Sequence, residues 1–96
     1  MKAIVVGGGI SGLTSAQILK QKGYRVEIFE TRSRIGGNCA DEKVNGLDIH
    51  TYGPHYFHTN KKNVWSFLNR FSKFKTFRPK IYANTKEGII PLPFNL

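Results

Sequence analysis

Gly7, Gly9 and Gly12 stand in the spacing G-x-G-x-x-G within the string Gly7-Gly8-Gly9-Ile10-Ser11-Gly12, and an acid, Glu30, follows eighteen positions later. These residue types suit the binding of an adenine dinucleotide. The first glycine permits a sharp turn out of a strand, the second lets the backbone approach a pyrophosphate, and the third lets helix and strand pack closely. A helix opening at Ile10 would offer unpaired N–H groups and partial positive charge to the diphosphate. A carboxylate at position 30 can accept hydrogen bonds from a ribose diol and would repel a 2′-phosphate, which favours an unphosphorylated adenosine ribose over NADP. The glycine string is weak evidence alone and gains its meaning from the elements around it.

Those elements are in register. Ala3–Val6 is a short apolar run ended by glycines, as expected of a buried parallel strand. From Ile10 to Lys22 the pattern turns helical, with Ile10, Leu13, Ala16, Ile18 and Leu19 apolar and Gly23 placed to close the helix. Arg25–Glu30 reads as a second strand. Thr31–Asp41 is a basic loop carrying Gly36-Gly37, and Asn45-Gly46 marks a hairpin turn within Val44–His50. Tyr52–Thr59 is a loop rich in aromatic and histidine residues. Asn60 is expected to cap a helix running to about Ser72, and Ile81–Ala83 and Gly88–Leu92 read as two further strands. The expected fold class is α/β: a partial Rossmann-like dinucleotide-binding domain, with a βαβ unit and parallel sheet, a glycine-rich loop, then a hairpin and a helix.

Ninety-six residues amount to one domain or a piece of one, about half of what a complete doubly wound dinucleotide domain needs. Residues 1–96 are therefore expected to be the amino-terminal part of such a domain, with the rest of it and any substrate domain absent. The formal charge is +9, and Lys61–Lys86 holds eight basic residues and no acidic one. Aromatic residues interleave this run, but Trp65, Phe67, Phe71, Phe74 and Phe77 follow a core period. The run is read as a solvated face, and no nucleic-acid partner is expected. A lone cysteine, Cys39, excludes an intrachain disulfide and reads as a small packed residue. No signal peptide or membrane-length segment stands in the sequence, so a cytoplasmic location without membrane association is expected.

Glu30-Thr31-Arg32-Ser33-Arg34-Ile35-Gly36-Gly37-Asn38 favours FAD over NAD. An acid ending the second strand, then a glycine pair in a basic loop, lets more backbone pass close to the cofactor and donate to it. Arg32 and Arg34 either touch the adenosine side or are solvated, and solvation is favoured for each.

The combination of Ile35-Gly36-Gly37-Asn38, Tyr52-Gly53-Pro54-His55-Tyr56-Phe57-His58-Thr59 and Leu92-Pro93-Phe94-Asn95 resembles the UDP-galactopyranose mutase family over essentially the whole chain. The resemblance implies an isomerase of cell-envelope polysaccharide biosynthesis. Such an enzyme interconverts UDP-galactopyranose and UDP-galactofuranose through an adduct between N5 of reduced FAD and the sugar. It implies that Ser11, Glu30, Asn38, His55 and Tyr56 bind the flavin cofactor together with Gly7, Gly9, Gly12 and Gly37. It further implies that His58 lies near the isoalloxazine ring and that Asn84 approaches the substrate nucleotide, a UDP-sugar. No catalytic residue besides His58 and no metal is assigned within the chain. The 96-residue chain alone is expected to be inactive, and homo-oligomerisation is left open. Two other readings stand beside this one: an FAD oxidoreductase of the amine-oxidase or desaturase type, and a non-catalytic nucleotide-binding remnant.

Overall fold

Alternation along the first strand decides which face of the amino-terminal unit is covered. In β1 (Lys2–Val6), Ala3 and Val5 are half-buried while Ile4 and Val6 are exposed, so one side packs and the other stands open. The computed structural model describes residues 1–92, and in it the chain divides into two units, Met1–Phe57 and His58–Leu96. The Pro93-Phe94-Asn95 part of the family-like motif lies outside the described residues.

The first unit is built on β1, α1 (Ile10–Gln21) and β2 (Arg25–Phe29), with β1 and β2 parallel and paired from Lys2 with Arg25 to Val6 with Phe29. Lys2 and Glu27 form an ion pair across the two strands at 3.0 Å. Helix α1 lies against both strands, and Ala16 is its buried residue. A Schellman arrangement ends the helix. The amide of Tyr24 donates to the Leu19 carbonyl and that of Gly23 to the Lys20 carbonyl, while Gly23 sits at φ 84°. The expectation of a strand buried on both faces is corrected: among the described residues this sheet has two strands, and Ile4, Val6 and Phe29 are exposed.

After β2 the chain crosses back over the glycine loop and makes a 3-10 turn at Gly37–Cys39. It then forms the antiparallel hairpin β3 (Asp41–Val44) and β4 (Leu47–His50). Asn45 and Gly46 both take positive φ, 51° and 82°, as a two-residue type I′ turn requires. Cys39 is exposed rather than packed, because the 3-10 turn faces it outward.

The second unit carries α2 (Lys62–Leu68) and a second hairpin, β5 (Ile81–Thr85) and β6 (Gly88–Leu92). Asn60 is not the cap of α2. Lys61 holds that position, and its amide donates to the Thr59 hydroxyl at 3.1 Å, so the helix begins later and ends earlier than its apolar spacing suggests. Pro91 fits β6 because a two-stranded sheet has only edges, where a missing N–H is tolerated. The aromatic residues are not a core here: Trp65, Phe71, Phe74 and Phe77 are exposed. They pair with one another instead, Trp65 with Phe74 at 5.5 Å and Phe67 with Phe71 at 5.2 Å between centroids. All eight basic residues from Lys61 to Lys86 are exposed, and Arg70 lies over the rings of Phe67 and Phe71. Among the described residues no helix is long and apolar enough to cross a membrane.

Candidate functional site

The site begins where β1 runs out. Gly7 takes φ 98°, a conformation costly for any residue with a Cβ, and its amide donates to the Phe29 carbonyl at 2.7 Å. The chain thus turns between β1 and α1 while still tied to the end of β2. Gly12 sits in the first turn of α1, where an added Cβ would strike the carbonyl oxygen of Gly7 and approach Val5. Helix and turn are therefore as close as two backbones allow.

Gly9 is different. It caps α1 at φ −74°, open to any L-residue, and a Cβ there would meet only the Gly37 Cα at an ordinary 3.9 Å. Neither backbone strain nor internal packing asks for glycine at this position. No side-chain cap hydrogen bond is made at Gly9, no acid lies in the first turn, and the first helical bond runs from the Leu13 amide to the Gly9 carbonyl. The amides of the opening turn, Ser11 and Gly12 among them, thus carry the donor capacity that every helix N-terminus leaves over.

The glycine pair closes the loop from the other side. The Gly36 amide donates to the Gly8 carbonyl at 2.8 Å, and Gly9 and Gly36 form a parallel bridge. Gly36 and Gly37 take φ 112° and 61°, and a Cβ on Gly37 would stand 3.0 Å from the Gly9 Cα. The pair is needed for backbone to lie on backbone, a reason for Gly36-Gly37 that sequence reasoning missed.

Glu30, half-buried at the end of β2, ties the two loops together. One carboxylate oxygen accepts from the Gly8 amide at 2.6 Å; the other accepts from the Arg32 amide at 2.9 Å and the Thr31 hydroxyl at 3.2 Å. The Arg32 amide, then that of Gly8, holds the carboxyl below its ordinary value of 4.5. The Thr31 amide adds a weaker lowering influence, so the carboxylate is held from within the unit by both loops. Because its folded value is depressed, Glu30 contributes its tie above pH 4.5 and loses it as the pH falls through the lowered value. The amide proton of Gly8 is therefore expected to titrate by NMR with a midpoint below 4.5. A Gly8 shift that stays flat down to acid unfolding, or moves at a higher midpoint, contradicts the bond.

The other candidates fall around this loop or in the second unit. The Asn38 side-chain oxygen faces the Arg32 guanidinium at 3.4 Å, and Arg32 in turn lies 4.7 Å from the centre of the Tyr52 ring. Arg34 ion-pairs with Glu42 at 2.8 Å and reaches the Asp41 carbonyl and Thr51 hydroxyl, so its role within the unit is to hold the hairpin. His55 is half-buried in the first unit, with Tyr56 exposed beside it. His58 is exposed in the second unit, as is Asn84, which pairs with Ile89 in the β5–β6 hairpin.

A strand, an uncapped helix bound to it by glycines, and an acid at the tip of the next strand define the Rossmann class of nucleotide-binding fold. The family model for the NAD(P)-binding Rossmann-like domain matches residues 5–71, and the chain belongs to that family. Within it the chain is similar to dTDP-fucopyranose mutase of Escherichia coli, 41% identical over 99% of this chain and 26% of that protein. It is also similar to the probable UDP-galactopyranose mutase of Klebsiella pneumoniae, 36% identical over 97% of this chain and 25% of that protein. The UDP-galactopyranose mutase of Mycoplasma pneumoniae is likewise 36% identical, over 96% of this chain and 24% of its own length. The chain thus spans about a quarter of the length of these curated relatives.

Proposed function

We propose that this chain forms the adenosine-diphosphate grip for FAD in a sugar-nucleotide mutase. The observation that carries the reading is the contrast between Gly12 and Gly9. Packing inside the chain accounts for the first, whereas nothing among the described residues accounts for the second. A glycine that the protein itself does not need fits a ligand whose diphosphate lies against the backbone there. The uncapped start of α1 supplies donors for that diphosphate, through Ser11 and Gly12. The negative charge of Glu30 at the end of β2 stands where it would meet a ribose diol and repel a 2′-phosphate.

From the family resemblance, Gly37, Asn38, His55 and Tyr56 would line the rest of the cofactor, with His58 toward the isoalloxazine and Asn84 toward the substrate nucleotide. Reduced FAD would supply the nucleophile for exchange at the anomeric carbon of a UDP-galactose ring. This chain's own residues bind and orient, and none of them is asked to break a bond. The amine-oxidase or desaturase reading is not favoured, because mutases match nearly the whole chain. A second mutase reading stands beside it, since the dTDP-fucopyranose mutase is 41% identical and the UDP-galactopyranose mutases are 36–39% identical. Both readings require the same FAD grip and differ only in the nucleoside and sugar.

Thermal unfolding of the purified chain tests the grip. FAD and ADP are expected to raise the midpoint in proportion to the logarithm of their concentration, and NADP to raise it less. Stabilisation by NADP at least equal to that by FAD, or by neither, overturns the proposal. The sugar is decided separately by offering UDP-galactopyranose and dTDP-fucopyranose, with dithionite-reduced flavin, to the full-length gene product that contains this segment.

A further inference from the structure

The loop that carries His55 and Tyr56 is tied to the β3–β4 hairpin at His50. That residue closes β4 directly opposite Asp41. Its carbonyl accepts from the Gly53 amide at 3.3 Å, and Gly53, at φ 87°, turns the chain back at once. The His50 side chain then meets the returning segment. Its Nδ1 accepts from the His55 amide at 3.4 Å, and the two rings stack with centroids 4.3 Å apart and planes at 26°. Resting on the FAD reading above, we propose that His50 is a positioning residue. Its neutral imidazole holds His55 and Tyr56 in place for the part of FAD beyond the adenosine diphosphate.

The hydrogen bonds give the two rings different roles. Nδ1 of His55 lies 3.1 Å from the Gly53 carbonyl, and its Nε2 lies 3.4 Å from Oδ1 of Asp41. Both neighbours are acceptors, so a proton on either nitrogen of His55 meets a partner. What His55 can present to a cofactor is the ring face turned away from His50. His50 is the opposite case. Its Nδ1 accepts only while it carries no proton, and a proton there would set one donor against another, the His55 amide. It would also place a positive charge against the stacked ring of His55. The charged groups around the pair are already matched, Asp41 with His55 and Arg34 with Glu42 at 2.8 Å. Arg34 otherwise reaches the Asp41 carbonyl and the Thr51 hydroxyl, each at 3.3 Å. A charged His50 therefore releases the His55 amide, and only the backbone bond from Gly53 still ties the loop to the end of β4. Imidazoles change charge between about pH 5 and 8, whereas Glu30 titrates below 4.5, so the adenosine side of the grip is untouched in that range.

Two substitutions divide the ring from its nitrogen. His50→Asn keeps an acceptor at the reach of Nδ1 that does not titrate, and His50→Phe keeps a ring to stack without an acceptor. At about pH 8, where imidazoles are neutral, His50→Phe is expected to weaken FAD by about three- to ten-fold, the worth of one hydrogen bond. ADP lacks the part of the cofactor that His55 and Tyr56 line, and should bind this variant as it binds the parent chain. His50→Asn should bind both nucleotides nearly as the parent does. FAD affinity of the parent should fall by a similar factor between about pH 8 and 5, and stay flat in His50→Asn. Unchanged FAD binding by His50→Phe, a loss of ADP together with FAD, or a pH dependence that survives in His50→Asn overturns the role. Failure of the FAD reading itself looks different, since neither nucleotide then binds the parent chain. The tie is in that case read by NMR on the unaltered, ligand-free chain. The His55 amide signal should move with the midpoint of the His50 ring and not with that of its own ring. An amide indifferent to His50 overturns the tie, whatever the variants do.

Discussion

Gly12→Ala is expected to destabilise the first unit and to abolish cofactor binding with it. The sign is the informative part. Gly12 lies within α1, and by helix propensity alone an alanine there would stabilise by about 1 kcal/mol. Packing argues the reverse, because the new Cβ would run into the Gly7 carbonyl oxygen. Neither partner can yield cheaply. Gly7 is pinned at φ 98° and bonded to Phe29, and the helix cannot move away without uncovering Ala16, its buried contact with the sheet. Overpacking of this kind costs about 1–3 kcal/mol, and a backbone partner places it at the upper end. Small domains have only about 5–15 kcal/mol in all, and Ala16 and Ala40 are the buried apolar residues among those described. A thermal or urea unfolding curve decides the matter: a midpoint lowered well below that of the parent chain is expected. A raised midpoint would mean that helix and turn are not in backbone contact.

Features written into neighbouring residues were the most legible in the sequence. The β1–α1–β2 unit follows from glycines whose conformations are local needs, and so does the turn at Asn45-Gly46. What eluded sequence reasoning depends on distant partners. Apolar spacing from Val64 to Phe71 looked like one face of a core helix. Yet α2 stops at Leu68, and Trp65 and Phe71 remain exposed, because periodicity states which residues share a face and not what covers it. The cap of α2 moved for a similar reason, since Thr59 offered the competing acceptor. The placing of Asp41 opposite His50 had a signal that was there to be used. A two-residue turn at 45 and 46 pairs 44 with 47, 43 with 48 and 42 with 49, which brings 41 opposite 50. Only the return of His55, stacked on His50 and 3.4 Å from the Asp41 carboxylate, needed the three-dimensional fold. The contact of Gly36-Gly37 with the glycine loop likewise lay beyond local reading, since it joins segments nearly thirty residues apart.

Gly9→Ala should separate the needs of the ligand from those of the fold. Position 9 is extended at φ −74°, so alanine meets no backbone strain, and its Cβ touches Gly37 only at ordinary contact distance. The expected cost to stability is the weaker capping of alanine relative to glycine, about 1 kcal/mol or less. The cost to binding is larger. A methyl group at the helix entrance would hold a diphosphate away from the amides of the opening turn. Losing even one hydrogen bond to a charged group is worth about 1.5–3 kcal/mol, or roughly 10- to 100-fold in affinity. FAD and ADP titrations of Gly9→Ala, run beside its unfolding curve, are therefore expected to show weak binding by a chain that still folds. This is the reverse of Gly12→Ala, where binding and fold fail together. If Gly9→Ala binds both nucleotides as well as the parent chain, no diphosphate rests against Gly9. The contrast between the two glycines then loses its force as an argument for a dinucleotide site. If it binds neither and also unfolds, the contact between Gly9 and Gly37 is tighter than 3.9 Å implies, and glycine at position 9 serves the fold after all.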